Sequence, residues 1–285
     1  MGNNDNYMIG VFDSGLGGLT ILKEIRKRLP QYDYLYLGDN ARAPYGTRSY
    51  EVVYEYTLQA VNYLFKRGCP LVILACNTAS AKALRTIQQK NLPLLWAKDG
   101  SNKRRVLGII RPTAEEIGNL TRTGHVGVLA TPGTVASGSY PIEIQKIYPH
   151  LTVVQQACPM WVPLVENNEH EKEGADYFVE EYVKDILQKD SKTDSLLLGC
   201  THYPLLRRKI ENAVKKYAPI PVQVVSQGEI IARSLENYLE RHSDLADLCS
   251  KKGTLTCLTT ESAEKFSQSA ELFMGEKIAA QHIEL

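Results

Sequence analysis

The chain has 285 residues, of which 44% are hydrophobic, so it is long enough to bury a large core without disulfide or metal cross-links. Its 33 basic and 32 acidic residues leave a net charge of +1, without the basic excess of nucleic-acid-binding proteins. No apolar run reaches the roughly 18 residues that span a bilayer, and residues 1–13 lack a signal-peptide pattern. We therefore expect a cytoplasmic protein that binds neither membranes nor nucleic acid.

Apolar runs of strand length alternate with helical patterns in the first third of the chain. Because these runs are apolar throughout, they indicate a parallel sheet with helices on both faces. The predicted strands are 7–13, 32–39 and 70–76, and the predicted helices are 19–29, 49–68 and 78–90.

The alternation then restarts, which favours a second α/β unit. A capping-box spacing of Thr113 and Glu116 predicts a helix start near residue 113. A last short helix is expected in the C-terminal tail. The other predicted strands are 92–99, 106–111, 125–131, 151–158, 195–200, 221–227 and 253–260, and the other predicted helices are 113–124, one from about residue 137, 174–189, 204–217 and 229–242.

Two distant segments share one pattern. Residues 72–80 and 196–204 both run from an apolar strand through a cysteine into a threonine-containing turn and a helix. Ligands of open α/β sheets bind outside the carboxyl ends of the strands, where Cys76 and Cys200 lie. The fold class that we expect is therefore α/β, with two pseudo-symmetric domains, largely parallel sheets and an active site in the cleft between them.

The cysteines are the candidate catalytic residues of this sequence. No two of the six cysteines have C-x-x-C spacing, so we expect free thiols and no metal site. Cys76 precedes a helix, where backbone N–H groups and the helix dipole lower a thiol pKa and favour a thiolate. Cys200 has the same setting, with His202 two residues later as a possible partner. We expect simple packing roles for the others, with Cys158 nearest to the site; these are Cys69, Cys158, Cys249 and Cys257.

Two thiols on opposite sides of a cleft suit racemisation at the α-carbon of an amino acid. One base removes the proton from one face, and the second returns a proton to the other face. Cysteine is suitable because its pKa can be brought near the working pH. Preorganised hydrogen-bond donors around the substrate carboxylate would stabilise the carbanion-like transition state.

Two loops complete the candidate site. The glycine-rich turn at 13–19 follows the first strand, and it has neither the Walker A nor the G-x-G-x-x-G pattern. Asp13 and Ser14 in this turn are candidates for binding a substrate ammonium or carboxylate. Residues 44–46 follow the second strand, and their spacing alone favours a plain turn.

Together these motifs resemble those of bacterial glutamate racemases. The similarity runs from Ile9 to about Gly228, with further similar segments at 131–140 and 158–166. Four separate motifs in one order make this resemblance specific. They are D-S-G-x-G-G-L at 13–19, P-Y-G at 44–46, A-C-N-T-A at 75–79 and G-C-T-H-Y-P-L-L at 199–206.

The resemblance implies cofactor-independent interconversion of L- and D-glutamate, which supplies D-glutamate for peptidoglycan, by a homodimeric enzyme. It implies one domain formed by residues 1–104 and 213–285 and another formed by residues 105–212. Cys76 would take the proton from D-glutamate and Cys200 from L-glutamate. The implied assisting groups are Asp13 and His202, and the implied substrate-binding residues are Asp13, Ser14, Tyr45, Gly46, Asn77, Thr78, Thr201 and His202.

Some alternatives stay open. Arg111-Pro112-Thr113 stands where many members of the family have Glu-Pro-Gly, so interdomain details can differ. The substrate of a two-cysteine racemase can instead be aspartate or a hydantoin. A cysteine hydrolase would use Cys200 as nucleophile and His202 as base, with no need for Cys76. A binding module would retain glutamate without turnover.

Overall fold

The structure, a computed structural model, describes residues 7–100 and 103–285. Residues 1–6, which belong to the segment 1–13 that was assessed for a signal peptide, lie outside the described residues. Within the described part of the chain, no helix is long and apolar enough to cross a membrane.

Two parallel sheets form the framework. The first has the strand order β10-β9-β2-β1-β3-β4, and the second has the order β6-β5-β7-β8. The strands are β1 (Ile9–Asp13), β2 (Tyr34–Gly38), β3 (Leu71–Leu74), β4 (Arg105–Gly108), β5 (His125–Ala130), β6 (Thr152–Ala157), β7 (Ser195–Gly199), β8 (Gln223–Val225), β9 (Leu255–Thr259) and β10 (Ala280–His282).

Helices cover both sheets. The α-helices are α1 (Leu19–Arg28), α2 (Tyr50–Lys66), α3 (Asn77–Lys82), α4 (Leu84–Thr86), α5 (Leu92–Asp99), α6 (Ile110–Leu120), α7 (Pro132–Ser137), α8 (Ser139–Ile147), α9 (Trp161–Glu166), α10 (Glu173–Lys189), α11 (Arg207–Tyr217), α12 (Gly228–Arg241), α13 (Ser243–Leu248) and α14 (Ala263–Met274). Short 3₁₀ segments lie at Asn40–Arg42 and Tyr203–Leu206, and a π-helical segment lies at Ile87–Asn91.

The central strands are buried on both faces, as their apolar runs predict. Every residue of β1, β2, β3 and β7 is buried. Such strands need helices on both sides of the sheet. One hydrophobic cluster contains Ile9 of β1, Leu129 of β5 and Leu196 of β7, so the two sheets share part of their core.

The sheets do not follow the domain boundaries expected from the sequence. The strand β4 pairs with β3 in the first sheet, although residues 105–212 were expected to form the second unit. The strand β8 pairs with β7 in the second sheet, although residues 213–285 were expected in the first. An apolar run can indicate a strand, but the sheet that the strand joins depends on backbone pairing with segments far along the chain. After β8, the helix α12 packs against α1, and β9 and β10 extend the first sheet.

Two local predictions were wrong. Residues 92–99 form the helix α5 and not a strand, because Leu92, Leu95 and Trp96 pack on one face while Leu94 is 70% exposed. The helix α6 begins at Ile110, so Thr113 does not cap it. Its hydroxyl instead donates to the Ile109 carbonyl at 2.7 Å.

Candidate active site

The strand ends of both sheets meet at a cavity of about 110 Å³. Cys76 reaches it from the first sheet and Cys200 from the second. Asp13, at the end of β1, is buried and does not line the cavity. The lining contains every other residue expected in the site, namely Ser14, Tyr45, Gly46, Asn77, Thr78, Cys76, Cys200, Thr201 and His202.

Cys76 occupies the N-cap position of α3, two residues after β3. Its Sγ accepts a hydrogen bond from the Ala79 amide at 3.5 Å and lies 3.5 Å from Ser14 Oγ. The expectation of a lowered thiol pKa was wrong in this structure. Burial, followed by the negative charge of Asp13, raises the pKa of Cys76 to about 12 and outweighs both hydrogen bonds. Without substrate, Cys76 is therefore a neutral thiol.

Asp13 lies behind Cys76 at the first βα turn. It is 1% exposed, and its Oδ1 accepts a hydrogen bond from the Gly15 amide at 2.8 Å. Its Oδ2 is buried and has no hydrogen-bond partner in the described part of the chain. Burial raises the pKa of the Asp13 carboxyl, although the nearby His202 opposes this shift. Asp13 is thus a better proton acceptor than an exposed aspartate.

Cys200 has a cationic neighbour. Its Sγ lies 3.9 Å from His202 Nδ1, and His202 Nε2 lies 3.1 Å from Glu166 Oε1. Burial alone would lower the pKa of His202, but hydrogen bonds to Cys200 and Glu166 raise it to about 10. The imidazole is therefore protonated at neutral pH, with its charge between the thiol and the carboxylate.

Gly17 lets the first βα turn approach the turn that follows Cys200. A Cβ atom at this position would lie 2.3 Å from Thr201 Oγ1 and 2.5 Å from His202 Nδ1. The same contact is reinforced by Thr20, whose hydroxyl lies 2.9 Å from both the Gly17 and Thr201 carbonyls. A glycine is therefore required where the two halves of the site meet.

The loop after β2 brings Tyr45 and Gly46 to the cavity. The Tyr45 hydroxyl donates to Asp39 Oδ2 at 2.5 Å, and Thr260 beyond β9 donates to Asp39 Oδ1 at 2.8 Å. The Gly46 carbonyl accepts from the Gly133 amide of α7 at 2.8 Å. These bonds tie the loop to the C-terminal segment on one side and to the second sheet's helices on the other.

Sequence reasoning missed Glu166 as a site residue. It lines the cavity from the end of α9 and pairs with His202. The only signal was its place at the end of the similar segment 158–166. In the same segment, Cys158 lines the cavity, although the sequence favoured a simple packing role for it. Arg111 does not line this cavity and pairs at the surface with Glu115 and Glu143.

The chain belongs to the Asp/Glu/hydantoin racemase family. A profile described as "Asp/Glu/Hydantoin racemase" matches residues 19–235, and this region contains both thiols. The chain is therefore a member of a racemase family.

Within this family the chain is similar to glutamate racemases over its full length. It is 39% identical to the glutamate racemase of Geobacter metallireducens, over 95% of this chain and 93% of that one. It is 38% identical to the glutamate racemase of Streptococcus suis, over 99% and 100% of the two chains. The crystal structure of a Francisella tularensis glutamate racemase with D-glutamate superposes with a TM-score of 0.84, at 29% identity over 98% of both chains.

Proposed function

We propose that this chain interconverts L- and D-glutamate by a two-base transfer of the α-proton between Cys76 and Cys200. The observation that carries the proposal is that these thiols, from different sheets, line the same buried cavity. Full-length relatives that are 36–39% identical are glutamate racemases, which favours glutamate over aspartate or a hydantoin.

The chemistry follows from two opposed thiols. One of them, as thiolate, takes the α-proton and leaves the electron pair on the substrate, delocalised into the carboxylate. The other thiol donates its proton to the opposite face of the α-carbon. After each turnover the thiol and the thiolate have exchanged places, so Cys200 and Cys76 must exchange protons with solvent before the next turnover in the same direction.

The two thiols are ionised by different neighbours. Cys76 needs a base, and the unpaired Oδ2 of Asp13 together with its raised pKa suits Asp13 to accept the thiol proton. Cys200 lies beside the protonated His202, whose positive charge stabilises a thiolate. In this scheme Cys76 removes the proton from D-glutamate and Cys200 removes it from L-glutamate.

The remaining cavity residues hold the substrate. Backbone and side-chain donors near the N-terminus of α3 and in the turn after β7 suit a carboxylate. The cavity residues that we assign to substrate binding are Ser14, Tyr45, Gly46, Asn77, Thr78, Thr201 and His202. Asp13, which the sequence also suggested for substrate binding, does not line the cavity and would act through Cys76. Solved relatives hold D-glutamate in the Francisella tularensis structure and L-glutamate in the Escherichia coli structure, the latter at 25% identity.

The setting of the reaction follows from the same proposal. D-glutamate is a building block of peptidoglycan, so the enzyme would work in the cytoplasm where precursors are assembled. We also propose a homodimer, which sedimentation analysis of the purified protein would test.

Exchange of the α-proton in heavy water tests the proposed function. The protein is incubated with D- or L-glutamate, and loss of the α-proton signal and change of optical rotation are followed together. We expect both with either enantiomer. Binding without exchange would support a binding module instead, and an acyl-enzyme on Cys200 would support a hydrolase. Aspartate in place of glutamate, as a parallel sample, compares the two substrates.

A further inference from the structure

A closed ring of buried hydrogen bonds joins Asn77, at the cavity, to helices around the second sheet. Asn77 Nδ2 donates to Gln227 Oε1 at 2.8 Å, and Gln227 Nε2 donates to the Tyr140 hydroxyl at 2.7 Å. The Tyr140 hydroxyl closes the ring by donating to Asn77 Oδ1 at 2.6 Å. All three side chains are buried, so each hydrogen bond is made away from water.

Such a ring can run in two directions. If both carboxamides rotated by 180°, so that their oxygen and nitrogen atoms exchanged places, Gln227 would donate to Asn77, Asn77 to Tyr140, and Tyr140 to Gln227. The three bonds would be equally satisfied in either direction. The ring by itself therefore leaves open which end of the Asn77 carboxamide is a donor.

Thr113 selects one direction. Its hydroxyl hydrogen is used in the bond to the Ile109 carbonyl at 2.7 Å, so its oxygen is available only as an acceptor. Gln227 Nε2 donates to this oxygen at 2.9 Å. In the reversed ring, the Gln227 carbonyl oxygen would face the Thr113 oxygen with no hydrogen between them, which leaves a buried acceptor unpaired.

We propose that Thr113 and Gln227 are positioning residues that fix the orientation of the Asn77 carboxamide at the active site. Asn77 directly follows Cys76 and lines the cavity, so the direction of the ring decides which group it presents there. The effect on turnover rests on the proposed function.

Thr113→Val tests the proposal because valine keeps the shape and removes the hydroxyl. The matched control is Thr57→Val, since Thr57 is equally buried and its hydroxyl donates to the Val53 carbonyl at the same 2.7 Å. Both variants lose one buried helical hydrogen bond, and Thr113→Val also loses the bond from Gln227 Nε2, so it should lose somewhat more stability. We expect Thr113→Val to lower kcat/KM about three- to tenfold and Thr57→Val to leave it unchanged. Equal kcat/KM values for the two variants would overturn the proposal.

Gln227→Leu gives a second test with a larger expected effect, because it removes the whole carboxamide from the ring. We expect about a 10- to 100-fold loss of kcat/KM in the otherwise unchanged protein. Because Gln227 acts through Asn77, the same change in an Asn77→Ala background should cause no further loss. An independent loss of the same size in that background would overturn the positioning role.

Failure of this inference can be separated from failure of the proposed function. The unaltered protein is first tested for α-proton exchange with glutamate, and absence of exchange would reject the proposed function alone. The ring is then tested by NMR, through protection of the Asn77 carboxamide hydrogens against solvent exchange. We expect protection to fall in Thr113→Val and not in Thr57→Val, and unchanged protection in both would overturn the inference.

Discussion

The two halves of the site place a thiol in the same backbone setting and surround it with opposite charge. Cys76 follows β3 and Cys200 follows β7, and both open a helical turn at the cavity. Burial, followed by the charge of Asp13, raises the pKa of the first thiol, whereas the second lies 3.9 Å from a protonated His202. The setting at the end of a strand therefore does not decide how a thiol ionises.

This difference suits a substrate that carries both signs of charge. A carboxyl group on one side and an imidazolium on the other match the ammonium and carboxylate groups of an amino acid. The two thiols need not be ionised together before substrate arrives. Because the bound substrate adds its own charges, the pKa values that govern turnover belong to the occupied site as a whole.

Removing either thiol should have the largest effect. Cys76→Ser or Cys200→Ser should each lower racemisation about 10²- to 10⁴-fold, because in the proposed mechanism each thiol acts as general base in one direction and as general acid in the other. Enantiomers are equally stable, so kcat/KM must fall equally in both directions. Exchange in heavy water resolves the two roles. We expect Cys76→Ser to lose exchange from D-glutamate first, and Cys200→Ser to lose it from L-glutamate.

Circular dichroism and thermal unfolding would check that both variants are folded, so that a loss of activity is not caused by misfolding. Full racemisation by the Cys76 variant would contradict the two-base mechanism and favour a site that works with Cys200 alone.

Gly17→Ala should break the contact between the two halves. The added Cβ atom would lie 2.3 Å from Thr201 Oγ1, so either the turn or the histidine has to move. We expect a loss of about 1–3 kcal/mol in the free energy of unfolding, together with a large fall in kcat. Gly174→Ala is the control, since no atom lies within 4 Å of a Cβ at that helical position. Equal stability of the two variants would show that this contact is easily relaxed.

Glu166→Gln should lower the pKa of His202, and so weaken the positive charge beside Cys200. In the folded protein the pKa of His202 is about 10, above its ordinary value of 6.5. The stability from its protonation is therefore complete below pH 6.5 and is lost as the pH rises through about 10. Without the carboxylate charge the folded-state pKa of His202 should fall, so the loss should still begin above pH 6.5 but should be complete roughly one pH unit lower. The measurements are thermal unfolding against pH and an NMR titration of His202. A titration identical to that of the unaltered protein would show that Glu166 does not hold the charge.

Cys158→Ala should have the smallest effect, although its thiol also lines the cavity. Burial holds the pKa of Cys158 well above its usual range, and its Sγ lies 3.6 Å from the Gln156 carbonyl. We expect kcat/KM within about threefold of the unaltered protein and a stability loss of about 1 kcal/mol. A loss comparable with that of Cys200→Ser would show that three thiols, and not two, are needed.

Much of the framework could be predicted from local patterns. Apolar runs marked the strands of both sheets, because a strand buried on both faces must be apolar throughout. The same patterns failed at residues 92–99, where Leu92, Leu95 and Trp96 suit a helix face as well as a strand. They also missed the short edge strand β10, which has little apolar character to mark it.

The sequence by itself determined which chemistry is available and where in the chain it lies: two cysteines at strand ends, a glycine-rich turn and the motifs of a racemase family. Only the tertiary structure decided the charge around each thiol, because Asp13, Glu166 and His202 meet through contacts between distant segments. It also raised the pKa of Cys76, where local position predicted the reverse, since burial and a neighbouring carboxylate act more strongly than the start of a helix. The ring that joins Asn77 to Gln227 spans 150 residues of chain, so no local pattern could have shown it.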